Sequence, residues 1–115
     1  MSWPRCRFLS QSAEVKMPAY LIVEHRITDP DKFQEYSAKV RPMIANCGGR
    51  ILTQGGTHKV LETNHFLPDR VAIFEFPDMA TLTTWYNSAD YKPLIELRQS
   101  ATDMTTDVMI AIDGA

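Results

Sequence analysis

Residues 70–86 read RVAIFEFPDMATLTTWY, and this stretch places a buried strand directly before a helix. Its first seven residues are rich in Val, Ile and Phe, which is typical of a strand. Asp78 follows Pro77 and is a good N-cap, so we expect a helix to begin there. The apolar side of that helix consists of Met79, Leu82, Trp85 and Tyr86. The stretch therefore predicts a strand–helix unit.

The same strand–helix order occurs earlier in the chain. Residues 19–27 read AYLIVEHRI and predict a buried strand. Asp29 is the expected N-cap of the following helix, and Pro30 suits its first position. Gly48 and Gly49 are expected to end this helix. Its apolar residues recur at helical spacing: Phe33, Tyr36, Val40, Met43, Ile44 and Cys47.

Three further segments complete the predicted fold. Residues 50–54 indicate a short strand, Gly55 and Gly56 a hairpin or bulge, and residues 57–62 more extended chain. Ser88 is expected to cap a further helical segment, and residues 107–112 to form the last strand. The order predicts an α+β fold, a ferredoxin-like βαββαβ domain. Its four-stranded antiparallel sheet would carry helices on one face, with the first and third strands in the centre.

Length and charge limit the class of protein. The chain has 115 residues, and 12 Lys and Arg against 14 Asp and Glu argue against nucleic-acid binding. We expect one domain at residues 17–115, preceded by a disordered or non-native extension at residues 1–16. That extension lacks the apolar run of a secretory signal, and no stretch is apolar enough to span a membrane. We therefore expect a cytoplasmic protein with no membrane partner.

A sheet with helices on one face leaves its other face open. The central strands are apolar on both faces, because Ile22, Val23, Val71 and Ile73 do not alternate cleanly with polar residues. An apolar open face requires a cover, and a second copy related by a twofold axis can provide it. We therefore predict a homodimer formed sheet to sheet.

Several short motifs together resemble one known family. They are Thr28-Asp29-Pro30, Gly48-Gly49-Arg50, Gly55-Gly56, Glu75-Phe76-Pro77, and Trp85-Tyr86-Asn87-Ser88 with Tyr91 and Arg98. The last run is the most specific. In these motifs the chain resembles the domain of unknown function family DUF1330, from about residue 20 to residue 112. The resemblance implies the dimeric α/β-barrel superfamily and a sheet-to-sheet dimer, but no particular reaction.

The wider superfamily implied by this resemblance contains several kinds of enzyme. Among them are cofactor-free monooxygenases, muconolactone isomerases, haem-degrading enzymes and haem peroxidases, which use a pocket between the sheet and its helices. This is an analogy between folds, and a fold does not determine a function.

Two carboxylates lie on otherwise apolar predicted strands. A Glu75 that faces a pocket could act as a general base. The alternative for Glu75 and Glu24 is a salt bridge to Arg70, Arg26 or Arg98.

His25 follows Glu24 and therefore faces the opposite side of the sheet. It shares a face with Glu75 only if the first and third strands pair in one of two possible parities. In that parity His25 and Glu75 would be a catalytic acid–base pair. The alternative places His25 at a dimer interface or a strand end.

The helical segments offer candidate substrate-binding residues. Arg98 lies two turns after Tyr91 on one helix face, so the two could orient an anionic substrate. Arg98 could equally hold its helix to Glu75. Trp85 and Tyr36 are candidates for pocket walls, although aromatic residues at helical spacing also form ordinary core.

No cofactor or metal is expected. His58 and His65 lack the spacing of metal ligands, and no His falls on a predicted helix where it could bind haem iron. The sequence leaves two hypotheses. The first is a small-molecule-binding protein or cofactor-independent enzyme, monooxygenase- or isomerase-like, with a small, part-apolar or anionic ligand. The second is a non-catalytic structural or regulatory homodimer module.

Overall fold

The computed structural model describes residues 17–53, 57–63 and 68–114 of the chain. The expected extension at residues 1–16 and the turn expected at Gly55 and Gly56 lie outside the described residues. None of the described helices is both long and apolar enough to cross a membrane.

The order of elements is that of a βαββαβ domain, as predicted. The strands are β1 (Ala19–His25), β2 (Arg50–Ile51), β3 (Arg70–Phe76) and β4 (Val108–Asp113). The helices are α1 (Pro30–Asn46), α2 (Met79–Tyr86) and α3 (Lys92–Ala101), followed by a short 3₁₀ turn at Met104–Thr106. Two helices, α2 and α3, lie between β3 and β4, so the second βαβ half contains a broken helix.

The strands form one antiparallel sheet in the order β2-β3-β1-β4. The first and third strands are therefore central, and the predicted α+β, ferredoxin-like arrangement is confirmed. β2 is shorter than expected, because only Arg50 and Ile51 pair with β3. Residues 57–63 form no strand, so the hairpin partner expected there is not found in the described chain.

Capping residues fix where the helices begin. The Asp29 carboxylate accepts a hydrogen bond from the Lys32 backbone N–H at 3.1 Å, and Asp78 accepts from the Thr81 N–H at 2.8 Å. Each satisfies a backbone donor that the first helical turn leaves unpaired. After α1 the chain turns at Gly48, whose φ of +82° favours glycine.

Strand register decides which side chains meet the helices. In β1 the buried residues Ala19, Leu21, Val23 and His25 alternate with half-buried Tyr20, Ile22 and Glu24. In β3, Ala72, Phe74 and Phe76 are buried in the same way. The core lies between this covered face of the sheet and the helices, and the candidate site is built on the same face.

Candidate functional site

His25 is the last residue of β1 and lies on the covered face, where it is only 2% exposed. Its Nδ1 is 3.0 Å from Oδ1 of Asp107, the residue just before β4. This contact follows from the register, because Glu24 pairs with Val108 and the next pair of positions brings residues 25 and 107 together. The structure therefore builds a His–Asp dyad from two neighbouring strands.

The Asp107 carboxylate is held by two further side chains. Its Oδ2 accepts a hydrogen bond from the Thr102 hydroxyl at 2.8 Å, and the Arg98 Nε lies 3.7 Å from the same oxygen. The Arg98 carbonyl oxygen lies 3.0 Å from the same hydroxyl, so the two acceptors share its one hydrogen. Asp107 is therefore fixed in position and can orient the imidazole of His25.

Burial lowers the pKa of His25 from its ordinary value of 6.5, and the positive charges of Arg98 and Arg70 lower it further. The hydrogen bond to Asp107 and the charge of Asp107 act in the opposite direction, but burial is the largest influence. The imidazole is then neutral at pH 7, and its Nδ1–H donates to the Asp107 carboxylate. Nε2 keeps its lone pair and has no hydrogen-bond partner among the described residues. This is the arrangement of a general base.

A chain of buried side chains continues from Arg98 to α1. The Arg98 Nη1 donates to the Tyr91 hydroxyl at 3.2 Å, and the Tyr91 and Tyr36 hydroxyls are 2.8 Å apart. The same Nη1 lies 2.9 Å from the Met109 sulfur. Burial raises the pKa of Tyr36 and of Tyr91, so both phenols keep their protons at neutral pH. Arg98 is thus used for contacts inside the protein.

A narrow crevice lies between the sheet and α1, beside His25. The space open to the centre of a water-sized sphere is about 20 Å³, where one water needs about 10–15 Å³. The polar residues along the crevice are His25, Tyr36, Ser37, Arg41 and Arg70. Its apolar walls include Leu21, Val23, Phe33, Val40, Ile44 and Phe74.

Trp85 also lines this crevice, and it is 1% exposed. Its ring packs on Tyr91 at 4.3 Å between centroids and on Phe76 at 5.4 Å. The indole Nε1 has no hydrogen-bond partner within the described chain. A buried donor without an acceptor is uncommon in proteins. Because its ring packs on Tyr91 and Phe76 and also lines the crevice, Trp85 belongs both to the hydrophobic core and to the crevice wall.

Glu75 lies away from this site. The register pairs Glu75 with Tyr20 and His25 with Arg70, which places His25 and Glu75 on opposite faces of the sheet. The parity needed for a His25–Glu75 acid–base pair is therefore not the one that forms. Glu75 instead accepts a hydrogen bond from the Arg50 Nε at 2.7 Å. Glu75 therefore forms a salt bridge, as the alternative expected, but its partner is Arg50 and none of Arg70, Arg26 and Arg98.

Of the six predicted site residues, five come together on the covered face: His25, Tyr36, Trp85, Tyr91 and Arg98. The sequence reasoning missed Asp107, Thr102 and Arg41, and it considered Arg70 only as a salt-bridge partner of a glutamate. Asp107 precedes an apolar strand and looks like any polar residue at a strand end. Only the β1–β4 register, which brings it beside His25, could have identified it.

No group of three or more His, Cys, Asp or Glu that could hold a metal ion is found among residues 17–53, 57–63 and 68–114.

Comparisons with known proteins agree with this architecture. One solved structure with the same fold is the RPA0582 protein of unknown function from Rhodopseudomonas palustris, and another is the methylated RPA0582 protein. Each is 19% identical to this chain with a TM-score of 0.69, covering 90% of this chain and 86% or 84% of the other. Similarity at this identity shows the fold alone. A search of the curated proteins found no match.

The family model described as Domain of unknown function (DUF1330) matches residues 18–114, which is nearly the whole described chain. The resemblance carried by the short motifs is thereby confirmed, and the chain belongs to the DUF1330 family.

Proposed function

We propose that this protein binds a small molecule in the crevice beside His25 and transfers a proton to or from it without a cofactor. One observation supports this most directly. His25 is buried and oriented by Asp107 through Nδ1, while its Nε2 has no partner in the described chain. A neutral, oriented imidazole beside a crevice is suited to general acid–base catalysis.

The reaction class that fits best is isomerase-like proton transfer at a carbon next to a carbonyl group. Nε2 of His25 takes a proton from that carbon, and the C–H electron pair forms an enolate. The imidazolium is stabilised by the Asp107 carboxylate and returns the proton to the same or another carbon. No oxidant or metal is needed for this step.

The width of the crevice limits the ligand. With room for about one water, it accepts a small molecule only if side chains along it move. Arg41 is exposed and Arg70 is partly exposed, and both side chains are long and flexible, so they are the residues that can move aside. The ligand is therefore small, with a partly apolar body matching the walls of the crevice.

Hydrogen–deuterium exchange tests this proposal without knowledge of the natural substrate. The protein is incubated in D₂O with two pairs of carbon acids, pyruvate with acetone and 2-oxobutyrate with butanone. Loss of their exchangeable C–H signals is followed by NMR. We expect the protein to accelerate exchange of at least one compound, and His25→Gln to abolish the acceleration.

His58→Gln is the matched control, because His58 is an exposed histidine away from the crevice. The His58→Gln variant is expected to accelerate exchange of the carbon acids as much as the parent protein does. Exchange that is equally fast with His25→Gln, or no acceleration of any of the four compounds, would contradict the proposed function.

A second candidate is a non-catalytic homodimer module, and the open face of the sheet supports the dimer that this candidate requires. That face carries half-buried or exposed apolar residues from all three long strands: Tyr20, Ile22, Val71, Ile73, Ile110 and Ile112. Unlike most exposed apolar residues, these form one continuous patch. A second copy of the chain is the partner we propose, because it would bring an equally apolar face.

The strands would form the centre of such an interface. Strands about 4.8 Å apart and rising about 3.3 Å per residue give the 22 described strand residues a flat footprint of roughly 350 Å². A standard stable interface buries ~800 Å² per partner, so side-chain relief and residues around the sheet would contribute the rest. The dimer is compatible with either candidate function, and only the exchange experiment separates them.

Light scattering after size-exclusion chromatography tests the dimer. Ile110→Lys places a charge on the open face at a position 52% exposed in the single chain, so it should fold and elute as a monomer. Met104→Lys is the control, because Met104 is similarly exposed at 57% but lies before β4 in the 3₁₀ turn. A parent protein that is monomeric, or an Ile110→Lys variant that stays dimeric, would rule out this interface.

A further inference from the structure

We infer that Arg41 and Arg70 form a subsite for a carboxylate group at the outer end of the crevice, so that the substrate is a short organic anion. The inference rests on the proposed function for its catalytic meaning, because it names the substrate class of the same site. The subsite as an anion-binding site can be tested separately.

Arg70 is placed beside the proposed base by the sheet itself. It is the direct cross-strand partner of His25 in the β1–β3 register, and both residues line the crevice. Partners of this kind have Cβ atoms about 4.5–5.5 Å apart. Arg41 reaches the same crevice from α1, so two guanidinium groups and one imidazole face one space.

Neither of these arginines has an acidic partner in the described part of the chain. The Arg41 Nε donates to the Ser37 hydroxyl at 3.2 Å, and the Arg70 guanidinium lies 5.7 Å from the centre of the Phe33 ring. By contrast, Arg50 and Arg98 each have a carboxylate within 4 Å. Both crevice arginines therefore keep guanidinium N–H donors for a ligand.

Two unpaired cations at one crevice repel each other. Burial lowers the pKa of Arg70, and the positive charge of Arg41 lowers it further. An anion bound between them removes this repulsion and adds charge-assisted hydrogen bonds. The pair is therefore arranged as a receptor for negative charge.

The apolar walls of the crevice favour a carboxylate on a short carbon chain over an inorganic anion. A guanidinium group matches a planar carboxylate through two parallel hydrogen bonds. The deeper walls, among them Leu21, Val23 and Phe74, suit a short apolar chain attached to it. A carboxylate at the arginines would direct its neighbouring carbons toward His25, which is more deeply buried than Arg41 or Arg70.

NMR titration of the protein with acetate and propionate tests the subsite. The neutral amides acetamide and propionamide have the same shape without the charge, and inorganic phosphate tests the class of anion. We expect saturable shifts of the His25 imidazole and Arg70 side-chain resonances with the carboxylates and none with the amides. Ionic strength is held constant throughout, because salt screens weak ion binding.

Arg41→Gln and Arg70→Gln each remove one guanidinium and should weaken carboxylate binding by about tenfold or more. Arg41 is exposed, so its variant is expected to fold even if the Arg70 variant is unstable. The control is Arg26→Gln, which removes the same charge from an exposed residue outside the crevice and should bind like the parent protein.

Three results would overturn the inference: amides that bind as well as carboxylates, Arg26→Gln weakening binding as much as Arg41→Gln, or phosphate binding more tightly than either carboxylate. The exchange experiment separates this failure from that of the proposed function. If acetone and butanone exchange as fast as the 2-oxo acids, the result would support His25 as a base and contradict the anion subsite. Carboxylate binding without any exchange would retain the subsite and remove the base.

Discussion

The two faces of the sheet carry ion pairs in opposite surroundings. On the covered face the side chains of His25, Asp107 and Arg98 are 3%, 11% and 5% exposed. On the open face Arg50 is 70% exposed and its partner Glu75 is 23% exposed. The charged pair on the covered face is Arg98 Nε with Asp107 Oδ2 at 3.7 Å, and the pair on the open face is Arg50 Nε with Glu75 Oε1 at 2.7 Å. Because water screens only the open-face pair, breaking the covered-face pair should cost more stability although its atoms are farther apart.

Removal of the covered-face carboxylate should have the largest effect. Asp107→Ala leaves the buried charge of Arg98 without its counter-charge, removes the acceptor of His25, and removes one of the two acceptors of Thr102. Breaking one partner of a buried pair costs about 3–5 kcal/mol. We expect a loss of that order in the free energy of unfolding, measured by urea denaturation followed by circular dichroism.

Asp113→Ala is the matched control for this experiment. Asp113 ends the same strand, β4, and is exposed, with no ion pair to another described residue. Its substitution should change the free energy of unfolding by less than about 0.5 kcal/mol. Equal losses for the two variants would mean that the buried network does not stabilise the fold.

The pH dependence of stability should also distinguish the two faces. Burial lowers the folded-state pKa of His25 below 6.5, so the unfolded chain binds its proton more readily. The stabilising contribution of neutral His25 is complete above pH 6.5. It decreases as the pH falls from there to the folded-state pKa. Asp107 faces His25 as an anion, while Arg98 and Arg70 face it as cations.

Urea denaturation at a series of pH values from 8 down to about 5 measures this decrease. The His25→Gln variant should lack this decrease in the free energy of unfolding, whatever its stability at pH 8. The His58→Gln variant should show the same decrease as the parent protein. A parent protein and a His25→Gln variant with parallel pH profiles would show that His25 titrates alike in the folded and unfolded states.

Local signals in the sequence were sufficient for most of the fold. Asp29 and Asp78 mark helix starts by their capping chemistry, and β3 is recognisable from its apolar residues alone. These local signals failed at residues 57–63, where the sequence suggests extended chain but no strand forms. Strand formation there depends on a partner, and the sequence does not specify one.

The candidate site was predictable only in part, because its assembly depends on register. The alternation along a strand shows that Glu24 and His25 face opposite sides of the sheet. It does not show which of the two shares a side with Glu75. The β1–β3 pairing decides this and separates His25 from Glu75. The same dependence explains why Asp107 and Arg70 were not recognised as neighbours of His25, since each is brought there by cross-strand pairing.

The smallest effect is expected for the ion pair on the open face. Arg50 and Glu75 are cross-strand partners in the β2–β3 register, and the pair is accessible to water and salt in the single chain. Glu75→Gln should therefore lower the free energy of unfolding by about 0–1 kcal/mol, and less at high salt. If the open face is covered by a second copy, the same substitution should cost more at protein concentrations that favour the dimer, because the pair is then shielded from water. Urea denaturation at low and high protein concentration measures the difference, and an effect independent of concentration would place Glu75 outside the interface.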